Sequence, residues 1–206
     1  MLQTQTVKPE LLITLRKLMA LNELSQFYLV GGTALALLYG HRNSVDIDLF
    51  TFRDFDTESL QKILLDKFQN TQITGDRKIM LFAYINDIKV DFVNNKTTLI
   101  YPVNEMDGIR FADVKDIAAL KLKAIFQRGS KKDFTDLYVL LKHYKIEELL
   151  NFFSTAFPGI DVGQLLLSMQ YFGDAEETLM PELHIKTDWN NIKKEVAQKV
   201  IRYIKS

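Results

Sequence analysis

The sequence predicts an α+β fold, with a mixed β-sheet flanked by helices over residues 1–112 and an all-helical half over 113–206. Two patterns predict it. Up to about residue 112, short β-branched and aromatic runs alternate with helical stretches. Beyond that point only the 3.6-residue period of helices remains, and no linker-like or low-complexity tract separates the halves.

The elements follow in order. Lys8 to Leu24 has apolar residues at helical spacing, and Pro9 falls near the first turn, where its missing N–H costs nothing. Phe27 to Val30 reads as a short strand running into Gly31-Gly32, and Thr33 to Tyr39 as a short buried helix stopped by Gly40. Asp46 to Phe50 reads as a strand, and Asp56 or Thr57 caps a helix to Phe68. Lys78 to Ile85 and Ile88 to Val93 form a hairpin about Asn86-Asp87. A loop over 94–107 leads to an edge strand at Ile109 to Ala112. Helices are expected from Asp113 to Gln127, Lys131 to Tyr144, Ile146 to Ala156, Gly163 to Phe172 and Asp188 to Ile204.

Bulk composition excludes several classes. Twenty-six basic residues balance 26 acidic ones, so no global field points to nucleic acid or membrane. With no cysteine, disulfides and thiolate metal sites are excluded. No stretch resembles a secretory leader or a membrane span, and a soluble cytoplasmic protein with no membrane partner is expected.

Chemistry concentrates between Leu29 and Phe50. On a strand, Val45, Ile47 and Leu49 share one face, and Asp46 and Asp48 the other. Adjacent carboxylates repel unless a cation lies between them, and oxygen donors favour a hard ion, Mg2+ or Mn2+. In the later hairpin Lys89, Asp91 and Val93 share a face, which raises a third carboxylate from a sheet. The competing reading, that all three are solvated strand residues, runs against the poor strand propensity of aspartate. Gly31-Gly32-Thr33, placed between a strand and a helix, lets bare backbone amides approach phosphate, although a tight turn alone accounts for it equally well. Arg42 and Ser44, just upstream of the acids, are candidates to hold triphosphate oxygens.

The helical half has its own anomaly. Lys121 falls in the middle of the apolar stripe made by Val114, Ile117, Ala118, Leu122 and Ile125, whereas Lys123 points about 160° away into solvent. A lysine so placed must snorkel or meet a carboxylate or phosphate. Asp133 and Asp136 interrupt the next, largely apolar helix, so a structural ion pair between helices is one account.

Taken together, Gly31-Gly32, the Asp46-Ile47-Asp48-Leu49 segment and Val90-Asp91-Phe92 resemble the DNA polymerase beta-like nucleotidyltransferase superfamily. Gly31-Gly32-Thr33-Ala34-Leu35 and Gly40-His41-Arg42-Asn43-Ser44 leading into the acid pair resemble the AbiEii/AbiGii toxin family within it. So do Asp116-Ile117-Ala118-Ala119-Leu120-Lys121-Leu122, Arg128-Gly129 and Lys132 to Tyr138. The resemblance covers about residues 27–142. It implies a nucleotidyltransferase-type sheet, with a helical domain packed on the core and contributing to the active site. It also implies transfer of a nucleoside monophosphate from an NTP to an acceptor hydroxyl. Asp46, Asp48 and Asp91 would be the metal ligands and catalytic acids, Gly31, Gly32, Thr33, Arg42 and Ser44 nucleotide contacts, and Lys121, Asp133 and Asp136 further groups at the nucleotide. Within the family the implied acceptor is the 3′ end of tRNA, and the implied partner is an antitoxin encoded nearby, in a toxin–antitoxin or abortive-infection system. A non-catalytic nucleotide-binding module and an antibiotic-type small-molecule nucleotidyltransferase are the alternatives.

Overall fold

Pro9 sets the start of α1 (Pro9–Ala20), because its fixed φ suits the first helical turn and its missing N–H would have no intrahelical partner. The structure is a computed structural model that describes residues 1–96 and 99–205. The chain falls into two compact units, Met1–Ala112 and Asp113–Ser206.

In the first unit, α1 is followed by β1 (Tyr28–Val30), α2 (Gly31–Tyr39), β2 (Ile47–Thr51) and α3 (Thr57–Lys67). Then come β3 (Thr71–Arg77), β4 (Met80–Ile85), β5 (Ile88–Asn94), β6 (Asn104–Met106) and β7 (Ile109–Phe111). These strands form one mixed sheet in the order β3-β4-β5-β2-β1-β7-β6. β2 runs parallel to β5 and antiparallel to β1, which in turn runs parallel to β7. The α+β architecture expected from the sequence is the one observed.

Local chemistry accounts for the turns. Asn86 and Asp87 both take positive φ (51° and 63°), the two-residue geometry that matches strand twist in a hairpin. Asp56 caps α3 by accepting a hydrogen bond from the Ser59 amide at 2.8 Å. Leu29, Val30, Ile47, Leu49, Val90, Phe92, Ile109 and Phe111 form the buried centre of the sheet.

Arg110, in β7, donates from Nε to the Phe27 carbonyl (3.0 Å), from one terminal nitrogen to Met19 (2.8 Å) and from the other to Leu24 (3.0 Å). One rigid guanidinium fork thus satisfies carbonyls at the end of α1 and at the entry to β1, where the chain cannot pair with itself.

Three sequence expectations need correction. The strand β3 was missed, because Thr71 to Arg77 is polar, lies at a sheet edge and carries a register shift between Ile73 and Gly75. The stretch expected as a loop over 94–107 contains the exposed strand β6, and Thr97 and Thr98 of that loop lie outside the described residues. β7 is not an edge strand, since β6 pairs beyond it.

The second unit is helical: α4 (Val114–Gln127), α5 (Lys131–His143), α6 (Ile146–Ala156), α7 (Val162–Ser168), α8 (Gly173–Glu176) and α9 (Trp189–Lys205). α7 ends four residues short of the expected Phe172, and a separate short turn of helix, α8, follows it. α4 packs against α5, α6 and α7, while α5 packs against α9. Phe134, Phe172 and Trp189 meet with ring centroids 4.8–6.0 Å apart, which joins α5, α9 and the segment before α8.

Candidate active site

The acids of the first unit are assembled by strand pairing. In the parallel β2–β5 ladder Asp48 is the register partner of Asp91, and Ile47 that of Val90. Both aspartates alternate with fully buried neighbours, so their carboxylates share the opposite face of the sheet. Asp46 lies just before β2, and its charge is felt, with that of Asp48, by the ammonium of Lys89.

Lys89 precedes Asp91 by two residues and stands on the same face, with its Nζ 2.6 Å from Asp91 Oδ2. Partial burial pushes the Lys89 ammonium down, but the hydrogen bond and charge of Asp91, together with the charges of Asp46 and Asp48, outweigh this and hold it above the usual lysine range. The other oxygen, Asp91 Oδ1, is buried without a hydrogen-bond partner among the described residues. The sequence places Lys89 on this face, but spacing alone gave it no role.

The glycine pair forms the first turn of α2 itself rather than a loop before it. Gly31 adopts φ +72°, and a Cβ there would lie 2.4 Å from Asp48 Oδ2. A Cβ at Gly32 would lie 2.2 Å from a terminal nitrogen of Arg42. Close approach of the Asp48 and Arg42 side chains therefore leaves no room for a side chain at either glycine. The N-cap is Val30, whose side chain makes no capping hydrogen bond to α2.

Arg42 and Thr33, both expected as nucleotide contacts, are buried. Arg42 is 2% exposed, lies against Gly32 and donates to the Asn43 carbonyl at 2.9 Å. Thr33 is buried; its hydroxyl donates to the Asp46 carbonyl and lies 2.8 Å from Ser44 Oγ. Together these side chains tie the first turn of α2 to the segment that enters β2, and so set Asp46 and Asp48 relative to Gly31. Ser44 is half-buried, and its amide donates to the Thr6 carbonyl at 2.9 Å.

In the helical unit, Lys121 Nζ lies 3.1 Å from Asp133 Oδ1 and 2.8 Å from Asp136 Oδ2. Asp136 is fully buried, so both aspartates turn toward the lysine. Asp133 also accepts from the Ser130 amide (3.0 Å) and hydroxyl (2.7 Å), the reciprocal half of a capping box at the start of α5. Burial pushes the Asp133 carboxyl up, but the Lys121 ammonium and the Ser130 hydrogen bonds outweigh it and hold it below the usual carboxylate range. This is the interhelical ion pair weighed as one account of Lys121. Lys123, expected in solvent, is half-buried, with its Nζ 4.4 Å from the centroid of the Phe157 ring.

A metal fits this donor set in chemistry: three carboxylates on one unit, one of them with a buried oxygen lacking a partner. As they stand, no three carboxylate or imidazole groups among the described residues are gathered closely enough to hold an ion together. The cation at Asp91 is the Lys89 ammonium.

Residues 14–202 match the model of the family described as nucleotidyl transferase AbiEii toxin, type IV toxin–antitoxin system. The chain belongs to this AbiEii nucleotidyltransferase family. A protein of Aquifex aeolicus described as uncharacterized, aq_aa25, is 36% identical over 206 residues, covering 97% of this chain and 98% of its own. Among solved structures, JHP933 of Helicobacter pylori superposes with a TM-score of 0.57 at 21% identity, covering 95% of this chain and 90% of that one. The nucleotidyltransferase toxin MenT4 of Mycobacterium tuberculosis gives a TM-score of 0.59 at 13% identity, covering 91% and 80%. At these identities the two structures establish a shared fold, while the family assignment rests on the sequence match.

Proposed function

We propose that this AbiEii-family chain transfers a nucleoside monophosphate from an NTP to an acceptor hydroxyl, with a divalent cation held by Asp46, Asp48 and Asp91. The observation that carries the reading is the side-by-side pairing of Asp48 and Asp91 next to Gly31. A bound Mg2+ or Mn2+ would supply the Lewis acid that draws charge from the triphosphate.

The chain's own groups do the rest. The first amides of α2, which the Val30 side chain does not cap, would donate hydrogen bonds to phosphate oxygens, favoured by the positive end of the helix. Ser44 would add a hydroxyl at the same end. Thr33 and Arg42 act one step back, by holding the turn. Asp91 would take the proton of the incoming hydroxyl at Oδ1. The acceptor oxygen bonds to the α-phosphorus while the bond to the β-phosphate oxygen breaks, and pyrophosphate leaves with that electron pair. Lys121, Asp133 and Asp136 enter the proposal on family resemblance alone; their observed geometry supports a structural network.

The type IV toxin–antitoxin family supports an antitoxin as partner, encoded nearby in an abortive-infection setting. The acceptor proposed is the 3′ end of tRNA, in the cytoplasm where NTP and tRNA are both abundant. Incubation with labelled NTPs, Mg2+ and a mixed tRNA pool tests it. Label should appear at tRNA 3′ ends with the wild-type chain and fall at least about a hundredfold with Asp48→Asn. Full incorporation by a folded Asp48→Asn chain overturns the assignment. Tight NTP binding without incorporation into any acceptor would favour the non-catalytic module instead.

A further inference from the structure

The feature that the proposed reaction leaves unused is a cation already seated among the acids. Lys89 Nζ lies 2.6 Å from Asp91 Oδ2, on a side chain that is 42% exposed, while the Asp91 side chain is only 14% exposed. A flexible four-carbon stem with a partly exposed head can leave its partner, whereas the carboxylate, fixed on a central strand, cannot follow. Lys89 pairs across the sheet with Tyr84, and Asp91 with Phe82, so neither neighbour on β4 offers a competing charge. Asp48 is the register partner of Asp91, so the ammonium that meets Asp91 lies on the sheet face that carries both carboxylates.

We propose that Lys89 is a built-in competitor for the divalent cation, neutralising Asp91 in the metal-free chain and yielding that carboxylate as the cation arrives. This inference rests on the nucleotidyl-transfer reading of the same acids and adds a control on their loading. Without the ammonium, Asp48 and Asp91 would face each other on one sheet face, with Asp46 just before β2 adding a third like charge, a repulsion that would destabilise the empty unit. With it, the empty site is held at lower charge, and the affinity for a bare divalent ion is reduced. A cation that comes with a triphosphate brings compensating negative charge, onto which the displaced ammonium can turn. Lys89 thus biases the site toward metal that arrives with nucleotide and against free metal.

Mn2+ binding, followed by electron paramagnetic resonance without nucleotide, tests the competition. Removal of a positive charge a few ångströms from a divalent ion should tighten Mn2+ binding by about tenfold or more in Lys89→Met. Lys89→Arg, which keeps the charge, should stay within about threefold of wild type. With Mn2+ bound, the thermal midpoint of Lys89→Met should rise more than that of wild type. Unchanged or weaker Mn2+ binding by Lys89→Met, with wild-type chain active in nucleotide incorporation, overturns the competitor role and leaves the transfer reading standing. Failure of both wild type and Lys89→Met to bind Mn2+, with no incorporation, overturns both. Lys89→Gln provides the same comparison should the methionine variant fail to fold.

Discussion

Gly31 lies against Asp48 so closely that a Cβ on the glycine would sit 2.4 Å from the carboxylate oxygen Oδ2. The glycine is also in the left-handed region, at φ +72°, which a side chain would strain independently of space. Gly31→Ala should therefore act twice. It should lower stability by about 1–3 kcal/mol through backbone strain, and it should displace the Asp48 carboxylate. Metal affinity measured on the folded variant separates the two effects. Wild-type Mn2+ binding in a destabilised Gly31→Ala chain would show that Asp48 keeps its place despite the clash.

Lys121 pairs with two buried or nearly buried aspartates, 3.1 Å and 2.8 Å away. Removing it leaves both carboxylates without that compensation in a poorly solvated interior. Lys121→Met should cost about 3–5 kcal/mol by chemical denaturation. Loss of incorporation in that variant counts as catalytic only if it persists at temperatures where the chain remains folded. A Lys121→Met chain as stable as wild type would show that the network contributes little to the helical unit.

Acid should reveal the same network. The folded carboxyl of Asp133 is held below its ordinary value of 3.8, with burial opposing and Lys121 and Ser130 prevailing. The unfolded chain therefore takes up the proton first as pH falls. The stabilisation is fully present above about 3.8 and is lost as pH drops through the lower folded value. Thermal melts of wild type and Asp133→Asn should differ most near neutral pH and converge below about pH 3.8. A gap that stays constant into strong acid would show that ionisation of Asp133 is not the source.

Much of this was legible because it rests on spacing. Asp46 and Asp48 alternate with apolar residues, and Asp91 stands between Val90 and Phe92, so period-two patterning puts Asp48 and Asp91 on strand faces and Asp46 at the entry to one. That Asp48 would be the register partner of Asp91 was not legible, because pairing between distant strands depends on the whole sheet order. β3 escaped for the opposite reason: an edge strand exposed on alternate residues has no apolar run to announce it. Lys121 was visible as a charge in an apolar stripe, and two aspartates in the following helix were visible partners. The lysine could equally have met a phosphate, and sequence does not choose between anions. Arg42 shows the limit most plainly. An arginine beside an acid pair reads as a ligand contact, but spacing does not show that this one is buried and lies against Gly32.

The parallel pairing of β2 with β5 also carries a consequence in time. Asp48 and Asp91 become neighbours only after α3, β3 and β4 have been made and β5 has closed onto β2. Non-local parallel pairing is among the slower steps in folding, since loop closure must precede the contacts that reward it. A chain still emerging from the ribosome, or one cleaved between β2 and β5 and separated, has two of the acids and no partner strand for them. A fragment that ends before β5 therefore cannot contain the Asp48–Asp91 pair, whatever else of the first unit it holds.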